Sequence, residues 1–340
     1  MFLAAVVLAA TLQSACAPGD GLGAICGPVA SEDLARIPGT PLLIASGLNT
    51  GAPAHLYLID TRNKRSRTLF PQGQPRMSVD NAYKVICPAP PKLAAMSLDG
   101  LAIRPAARGT PATLLAANHG DRHAIEIFRI DGGANPALTW TGCVPMPKGT
   151  LANDVVALSD GGLVTTSFRD PDDPQAWSRM EKGEGTGGVW EWHAQSGWRR
   201  LPIGDIPGAN GLEISPDERT LYISAWAAKR LLVVSRNSPV GREIPLDFLP
   251  DNIHRTDDGT LLVAGQRAKV QDIAACGGAA CPQEWAVVRI DLAKATVTPV
   301  LAGKGSEGVN YACGALQVGD TIFVTLRGAP KIGWLSSNKN

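Results

Sequence analysis

The sequence predicts an all-β protein, a six-bladed β-propeller with a central metal site, and three observations lead to this fold class. The 37 glycines and 26 prolines in 340 residues argue against a helical bundle and for many short strands joined by turns. After residue 30 no segment keeps a helical period, and short strand-like runs follow one another about every ten residues. Turn sequences of one kind then recur roughly 40–60 residues apart, which is the period of propeller blades and gives about six of them.

The predicted blades consist of short apolar runs that are separated by Gly, Asp or Pro turns. The strand-like runs are Pro41–Ser46, His55–Asp60, Thr113–Ala117, Ile125–Ile130, Gly162–Phe168, Val189–His193, Leu212–Ser215, Leu221–Trp226, Leu231–Ser235, Leu261–Gly265, Val287–Asp291 and Ile322–Leu326. The turns are Ser159–Gly162, Ser215–Glu218, Thr256–Gly259 and Val318–Asp320. Each turn joins two runs and is typical of a hairpin, so each one marks a structural unit.

Polar residues recur at one fixed distance before these turns. Seven residues before the acidic turn residue of three units, and seven before Gly39 in the first unit, stand Glu32, Asn153, Asn210 and Asp251. Each of them comes just before the first strand of a blade, and the first strands of a propeller line its central channel. Four such side chains at one end of the axis form an oxygen-rich cage for which Ca²⁺ is the natural occupant. In the two remaining units, Asp99 is expected as an outer ligand or a substrate contact, and Cys313 takes the equivalent position.

Residues 1–17 are predicted to be a signal peptide. Phe2–Leu12 is almost wholly apolar but too short to span a bilayer, and small residues follow it. Leu12–Cys16 also loosely resembles a bacterial lipoprotein signal, so a lipid anchor at Cys16 is the alternative and would be the only link to a membrane. Both interpretations predict an exported protein (periplasmic, secreted or lipid-anchored) with a single propeller domain over residues 26–340. The formal net charge of +1 excludes an electrostatic surface for nucleic acid.

The cysteines are expected to form disulfides. Six remain once Cys16 leaves with the signal or carries the lipid, and an even number in an oxidising compartment predicts pairing. Cys276 and Cys281 flank a short Gly-Gly-Ala-Ala loop, so we expect a local disulfide between them. Cys26 and Cys313 are not assigned. No cysteine or histidine cluster has the spacing of a zinc site.

Several short segments, in this order along the chain, resemble the paraoxonase-type arylesterases and lactonases. The resemblance is closer still to their bacterial relatives, which are grouped with the gluconolactonase and senescence-marker propellers. The matching segments are Ser31–Leu34, Ala117–Gly120, Ile125–Phe128, Ala152–Val155, Ala209–Leu212, Ile214–Asp217 and Asp251–Ile253. The resemblance extends from about Cys26 to Trp334, which is nearly the whole predicted mature chain.

The resemblance implies a set of functional residues. A catalytic Ca²⁺ would be held by Glu32, Asn153, Asn210, Asp251 and Asn252, and a second, structural Ca²⁺ by Asp33, Asp154 and the backbone near Asp121. The catalytic histidine of the family falls on His119, and a pair of cysteines that recurs in the bacterial relatives suggests a disulfide between Cys87 and Cys143. The sequence departs from the family because no histidine lies between residues 124 and 192 and because Asp99 stands where a histidine is frequent.

The predicted activity is Ca²⁺-dependent hydrolysis of small lactones or aryl esters. The cation would polarise the carbonyl group, and His119 would take a proton from the attacking water. Phe168 and Trp226 are expected as substrate contacts at the mouth of the channel, where they favour an apolar ester or lactone. Two alternatives remain open: a sugar-lactone hydrolase with a polar pocket, and a non-catalytic propeller that binds a small ligand. No Gly-x-Ser-x-Gly motif occurs, which argues against a serine hydrolase.

Overall fold

The structure is a computed structural model that describes residues 16–87, 89–107, 109–133, 135–276, 283–305 and 309–336. These residues form six β-sheets, each with four antiparallel strands, and one sheet has an additional short parallel strand at its outer edge. Neighbouring sheets contact one another through their innermost strands. The six-bladed propeller expected from the turn repeat is therefore confirmed.

Each blade contributes four strands from the axis outwards, and the strand labels follow chain order. The innermost strands are β2 (Ser31–Arg36), β7 (Leu98–Arg104), β11 (Ala152–Ala157), β15 (Ala209–Ile214), β19 (Leu249–Arg255) and β23 (Ala312–Val318). The second strands are β3 (Leu42–Gly47), β8 (Thr113–Asn118), β12 (Leu163–Ser167), β16 (Thr220–Ala225), β20 (Leu261–Arg267) and β24 (Thr321–Leu326). The third strands are β4 (Leu56–Asp60), β9 (Ala124–Asp131), β13 (Gly188–His193), β17 (Arg230–Ser235), β21 (Glu284–Asp291) and β25 (Lys331–Ser336). The outermost strands are β5 (Arg65–Phe70), β10 (Ala137–Pro145) with β6 (Arg76–Met77) beside it, β14 (Gly197–Arg200), β18 (Gly241–Pro245), β22 (Thr296–Gly303) and β1 (Gly23–Cys26).

The position of a strand in its blade explains its composition. Strands β3 and β12 are buried at every residue, because a second strand is covered by the neighbouring blade on each face. Such strands therefore appear in the sequence as continuous apolar or small runs without alternation. The outermost strand β22 is largely exposed and carries threonines and a proline, which an edge position tolerates.

The ring of blades is closed by the two ends of the chain. Strand β1 pairs antiparallel with β25, from Gly23 opposite Trp334 to Cys26 opposite Lys331. The sixth blade thus combines β23, β24 and β25 with a strand from the N-terminal side, and the propeller domain begins at residue 23 or before it rather than at residue 26. Because this pairing links distant parts of the chain, it holds the first and last blades together.

The N-terminal cysteines differ from the sequence-based expectation. Cys16 forms a disulfide with Cys26, and the Lys331 ammonium donates a hydrogen bond of 2.6 Å to the Ala17 carbonyl. Residues 16 and 17 are therefore attached to the sixth blade in this structure, whereas the sequence predicted that they leave with the signal peptide. The signal peptide and the alternative lipid anchor at Cys16 stay predictions. Residues 1–15 lie outside the described residues.

The other cysteines fall into two groups. Cys87 and Cys143 form a disulfide, as predicted, which ties the segment before the second blade to β10. Cys276 is also disulfide-bonded, and Cys281, its predicted partner, lies outside the described residues. Cys313 has a free, buried thiol.

Two short α-helices contact each other at the end of the channel that contains the candidate site. They are α1 (Ala176–Glu181), in the connection between β12 and β13, and α2 (Val270–Ala275), in the connection between β20 and β21. One 3₁₀ turn, Leu93–Ala95, precedes the second blade. In the part of the chain that the structure describes, no helix has the length and apolar character needed to cross a bilayer.

Candidate active site

The innermost strand of every blade has the same irregularity. Its pairing with the second strand skips two residues, between Ser31 and Leu34 in the first blade and at the equivalent place in the other five. The first skipped residues form what we call the inner ring: Glu32, Asp99, Asn153, Asn210, Asp251 and Cys313. All six are buried. The seven-residue offset in the sequence therefore identified one structural position in successive blades.

The second skipped residues form a lower layer beneath the inner ring. Around the axis they alternate between a polar side chain and glycine: Asp33, Gly100, Asp154, Gly211, Asn252 and Gly314. The glycines are needed for space, because a Cβ on Gly100 would overlap the Asp154 carboxylate and a Cβ on Gly211 would overlap the Asp251 carbonyl. Each polar side chain of the lower layer can therefore extend over the glycine of a neighbouring blade towards the axis.

The lower layer contains Asp33 and Asp154, two of the residues predicted for a second metal site, which stays a prediction. Asp33 Oδ2 accepts a hydrogen bond of 2.7 Å from the Leu101 amide of the next blade, and Asp33 Oδ1 lies 2.8 Å from His254 Nε2. Asp154 likewise accepts from the Leu212 amide of the next blade, at 2.6 Å. These carboxylates connect neighbouring blades, so their oxygens already have partners. Asp121, near which a backbone contribution was predicted, is exposed, and its carboxylate accepts a hydrogen bond from the Lys92 amide.

Hydroxyl groups on the second strands hold the irregular segments in place. Thr325 donates to the Glu32 carbonyl at 2.6 Å, and Ser224 donates to the Asp251 carbonyl at 2.7 Å. Thr166 donates to the Asn210 carbonyl at 2.6 Å and also accepts from the Asp154 amide. Because these carbonyls leave the regular sheet ladder, the hydroxyls supply the partners that they would otherwise lack. The side chains of the inner ring therefore stand on a fixed backbone.

Four oxygens among the five predicted calcium ligands are buried and have no hydrogen-bond partner among the described residues. They are Glu32 Oε2, Asn153 Oδ1, Asn210 Oδ1 and Asn252 Oδ1. Two of the three amide nitrogens are bound, since Asn153 donates to Asp99 at 3.1 Å and Asn252 donates to Glu32 at 2.8 Å. Buried polar atoms are normally paired, so these oxygens point to a missing cationic partner. Carboxylate and amide oxygens are the ligands that Ca²⁺ prefers, and the residues present therefore fit this ion.

The carboxylates of the inner ring repel one another when no cation is bound. Burial and the nearby charges of Asp99 and Asp251 raise the pKa of Glu32 well above its ordinary value. Burial, opposed by a hydrogen bond from Gln266 but reinforced by Asp99, raises the pKa of Asp251 to about 7. Within the described ranges, Glu32, Asp251 and Cys313 are the one group of three acidic, cysteine or histidine side chains whose ligand atoms all lie within 4.8 Å of one another. A divalent cation would remove this repulsion.

His119 lies beside the inner ring and contacts one of its carboxylates. Its Nε2 is 3.0 Å from Asp99 Oδ2 and also contacts the carbonyl oxygen of Ala152. Burial raises the pKa of Asp99, but the proximity of His119 and hydrogen bonds outweigh it, so this pKa lies below its ordinary value. Asp99 therefore stays ionised and orients the imidazole ring.

A second set of equivalent residues stands above the inner ring. In each blade, the residue before the irregularity of the first strand pairs with a residue at or near the end of the second strand. The residues that directly follow these six partners form what we call the outer ring: Leu48, His119, Phe168, Trp226, Gln266 and Arg327. All except Gln266 line a pocket of about 260 Å³ whose floor includes Glu32, Asn153, Asn210 and Asp251. Gln266 is fully buried and donates to Asp251 at 2.8 Å. The outer ring therefore forms much of the wall above the metal ligands.

One side of the pocket is aromatic. Phe168, Trp177 on α1 and Trp226 pack edge to face, with ring centroids 5.6, 5.9 and 6.0 Å apart. The predicted substrate contacts Phe168, Trp226 and Asp99 thus all line one pocket with His119. A larger cavity of about 380 Å³ at the other end of the channel contains His254 and Asp154, but none of the unpartnered ligand oxygens.

Among the residues at or beside the pocket that sequence reasoning missed are Trp177, Gln266, Tyr311 and Arg327. Gln266 and Arg327 occupy the outer-ring position, which the strand pairing defines and which stands at no fixed distance from the turns in the sequence. Trp177 lies on a short helix that follows the loop of residues 169–174, and Arg169 of this loop also lines the pocket. Tyr311 precedes β23 in a left-handed backbone conformation that the sequence does not reveal.

Comparison with known proteins agrees with this architecture. The sequence profile of the family described as SMP-30/gluconolactonase/LRE-like region matches residues 50–261, more than half of the chain. A gluconolactonase from Xanthomonas campestris has a similar structure, with a TM-score of 0.58, 18% identity, and 93% of this chain and 89% of that chain covered. A luciferin-regenerating enzyme has a TM-score of 0.59 at 14% identity over 94% of this chain and 96% of that chain.

Similar folds also occur in proteins with other reactions. A streptogramin B lyase has a TM-score of 0.52 at 11% identity, with 92% of this chain and 96% of that chain covered. No curated protein matches the sequence significantly. At such low identities the structures establish the fold alone, whereas the sequence profile establishes the family. The chain belongs to the SMP-30/gluconolactonase/LRE-like family.

Proposed function

We propose that the protein hydrolyses lactones or aryl esters and depends on a bound Ca²⁺ ion. The observation that carries this proposal is the set of unpartnered oxygens of Glu32, Asn153 and Asn210 at the floor of a small pocket. These oxygens accept no hydrogen bond from the described residues, and they suit a cation that prefers oxygen ligands. Membership of a family whose description includes gluconolactonase supports a lactonase type of reaction.

The cation would be held by Glu32, Asn153, Asn210 and Asp251, with Asn252 supporting the site from below. When bound, Ca²⁺ supplies a Lewis acid that polarises the ester carbonyl and stabilises the negative charge that develops on its oxygen. The protein contributes a rigid arrangement, because Thr166, Ser224 and Thr325 fix the backbone of the ligands. Rigid ligands need little rearrangement when the cation and substrate bind.

His119 is proposed to take the proton from the attacking water. Both neighbours of its Nε2, Asp99 and the Ala152 carbonyl, are hydrogen-bond acceptors, so Nε2 carries the hydrogen and Nδ1 the lone pair. Nδ1 is therefore the atom that accepts the proton. Asp99 holds the ring in this tautomer and stabilises the imidazolium ion that forms. The sequence predicted Asp99 as an outer metal ligand or a substrate contact. We propose instead that Asp99 orients His119.

The proposal is tested by measuring hydrolysis of a γ-lactone, a sugar δ-lactone and an aryl acetate, with EDTA and with added Ca²⁺. We expect EDTA and Asn210→Ala to abolish turnover, and His119→Gln to lower kcat by about 10²–10⁴-fold, the usual range for general-base catalysis. Asn237→Ala, at an exposed position, is the matched control and should keep full activity. Calorimetry of Ca²⁺ binding to the same variants separates loss of metal from loss of chemistry.

Two results would replace the proposal. If the protein binds Ca²⁺ but hydrolyses none of the three substrates, the alternative of a non-catalytic propeller with a retained cation takes its place. If only the sugar lactone is hydrolysed, the substrate class is that of a sugar-lactone hydrolase. The aromatic side of the pocket, made of Phe168, Trp177 and Trp226, favours the less polar substrates.

We also infer that the protein is exported. Disulfides such as Cys16–Cys26 and Cys87–Cys143 are typical of oxidising compartments. The intact mass of the protein purified from its host tests this inference, because removal of a signal segment shortens the chain. A mature protein that keeps Cys16 in a disulfide would contradict the lipid anchor. An added diacylglyceryl mass would support the lipid anchor.

A further inference from the structure

The guanidinium group of Arg327 lines the pocket without an anionic partner. Among the described residues, no carboxylate oxygen lies within 4.0 Å of its nitrogens, although three carboxylates line the same pocket. Its Nε is buried and has no hydrogen-bond partner. Within the part of the chain that the structure describes, its side chain makes one hydrogen bond, a long one of 3.5 Å from Nη1 to the Tyr311 hydroxyl. Arg327 is half-buried, and a charged group with so few partners at the wall of a pocket is suited to receive a ligand group that pairs with it.

Tyr311 orients this guanidinium. The Arg327 Cζ lies 5.0 Å from the centroid of the Tyr311 ring, within the range of a cation–π contact. Such a contact occupies one face of the planar group and leaves its edge, where the N–H donors lie, available for a ligand. A carboxylate is the group that matches this edge best, because two parallel N–H···O bonds can form.

The side of the pocket opposite Arg327 is apolar. Arg327 and Tyr311 belong to the sixth blade, whereas Phe168 and Trp177 belong to the third, which lies directly across a six-bladed ring. The inner ring with its unpartnered oxygens lies between these walls. A molecule whose ester carbonyl is near the axis therefore has a cation on one side and apolar rings on the other. The volume of about 260 Å³ limits it to a ligand smaller than a typical drug.

We propose that the natural substrate is a small lactone or ester that carries a carboxylate group, which Arg327 binds while an apolar part contacts the aromatic wall. This inference rests on the proposed function for the reaction itself, but the binding of the carboxylate does not depend on turnover. Arg327 acts here as a specificity-determining residue. Neutral lactones of the same size should enter the pocket but leave the guanidinium without its partner, and they should therefore bind more weakly.

The first experiment uses a matched pair of substrates with the Ca²⁺-loaded protein: a γ-lactone that bears a carboxymethyl group, and the corresponding carboxamide. We expect the wild type to prefer the carboxylate by about 10–100-fold in kcat/KM, the range that a charge-assisted hydrogen bond accounts for. Arg327→Met should remove this preference, mainly through a higher KM for the carboxylate, and it should lower kcat/KM for the carboxamide much less than kcat/KM for the carboxylate. Arg36→Met removes the same charge at the other end of the channel and is the control that should keep the preference. Equal losses on both substrates in Arg327→Met would mean a structural role and would overturn the inference.

The second experiment measures binding alone. Calorimetry with cyclopentanecarboxylate and cyclopentanecarboxamide should show at least tenfold tighter binding of the acid to the wild type and no such difference in Arg327→Met. Arg327→Lys keeps the charge but loses the paired donors, so we expect an intermediate preference. This variant serves as the test if Arg327→Met does not fold. Persistent preference for the acid in Arg327→Met would assign the carboxylate to the cation and refute the role of Arg327. Arg327-dependent binding without any hydrolysis would refute the proposed function and leave the carboxylate site standing.

Discussion

Gly100→Ala should weaken both the fold and the metal site, although alanine suits the backbone at this position. Gly100 has no positive φ angle, so the substitution brings no conformational strain. Its new Cβ would instead lie 2.5 Å from the Asp154 Cα and 2.7 Å from the Asn153 carbonyl oxygen, far inside ordinary contact distances. These atoms belong to the backbone of the neighbouring blade and cannot move like the end of a flexible side chain. Asn153, a predicted calcium ligand, must therefore shift with its strand.

The magnitude follows from the cost of overpacking. An added methyl group in a well-packed interior costs about 1–3 kcal/mol, and backbone contacts place this site at the upper end. For a domain of this size, 2–3 kcal/mol corresponds to a fall in Tm of about 3–5 °C. Loss of one ligand should also weaken Ca²⁺ binding at least roughly tenfold, the effect of about 1.4 kcal/mol.

The assay is thermal unfolding with and without Ca²⁺, together with calorimetry of Ca²⁺ binding. Gly133→Ala is the matched control, because nothing lies within 4 Å of its added Cβ and no positive φ opposes it. That control should leave Tm unchanged or raise it slightly, since alanine restricts the unfolded chain. If Gly100→Ala melts within 1 °C of the control (about 0.7 kcal/mol) and binds Ca²⁺ as tightly as the wild type, the steric argument for the lower layer is wrong.

Three further predictions follow from other parts of the structure. Burial raises the pKa of Glu191, but hydrogen bonds from Arg236 and Arg199 outweigh it and lower that pKa from 4.5 to about 2. Because the folded-state pKa is depressed, this stabilisation is present above pH 4.5 and is lost as the pH falls towards 2. In urea titrations, the free energy of unfolding of Glu191→Gln should therefore fall less on acidification than that of the wild type, by about 1–2 kcal/mol after solvent screening. Replacing both Cys87 and Cys143 by serine opens a loop with a sequence separation of 56 and should lower the free energy of unfolding by roughly 4 kcal/mol in the chain-entropy description; an unchanged denaturation midpoint would contradict this, and peptide mapping without reduction checks the pairing. Ca²⁺ at 100 times its Kd should stabilise the protein by about 2.7 kcal/mol relative to an EDTA-treated sample, whereas Asn210→Ala should show no such difference in unfolding.

The sequence was sufficient to predict the fold and the floor of the candidate site because both depend on local repeats. In each blade the irregular segment of the first strand stands at a nearly constant distance from the hairpin turn. A count along the chain therefore reached Glu32, Asn153, Asn210 and Asp251, and the same positions in the other blades hold Asp99 and Cys313. The blade number followed from the same spacing.

Residues whose role depends on a neighbouring blade were not predictable in this way. Asp33 and Asp154 have the side chains of calcium ligands, but amides of Leu101 and Leu212 in adjacent blades occupy their oxygens. Arg327 was missed because nothing near it in sequence shows that its guanidinium stands in the same pocket as the calcium ligands, with no carboxylate of the described residues within 4.0 Å. The difference in each case is a contact between blades that a single strand and turn do not encode.

By itself, the sequence determined an all-β propeller of six blades and a polar ring at its axis, since strand length, turn chemistry and their period are local properties. Tertiary structure decided which carboxylates keep free oxygens, how the ring is closed and what lines the pocket. Closure pairs Gly23 with Trp334, and Cys16 is bound to Cys26, against the expectation that it would be lost. These outcomes depend on which distant groups meet when the six blades close around one axis, and hydrogen-bond partners there are chosen by position in space.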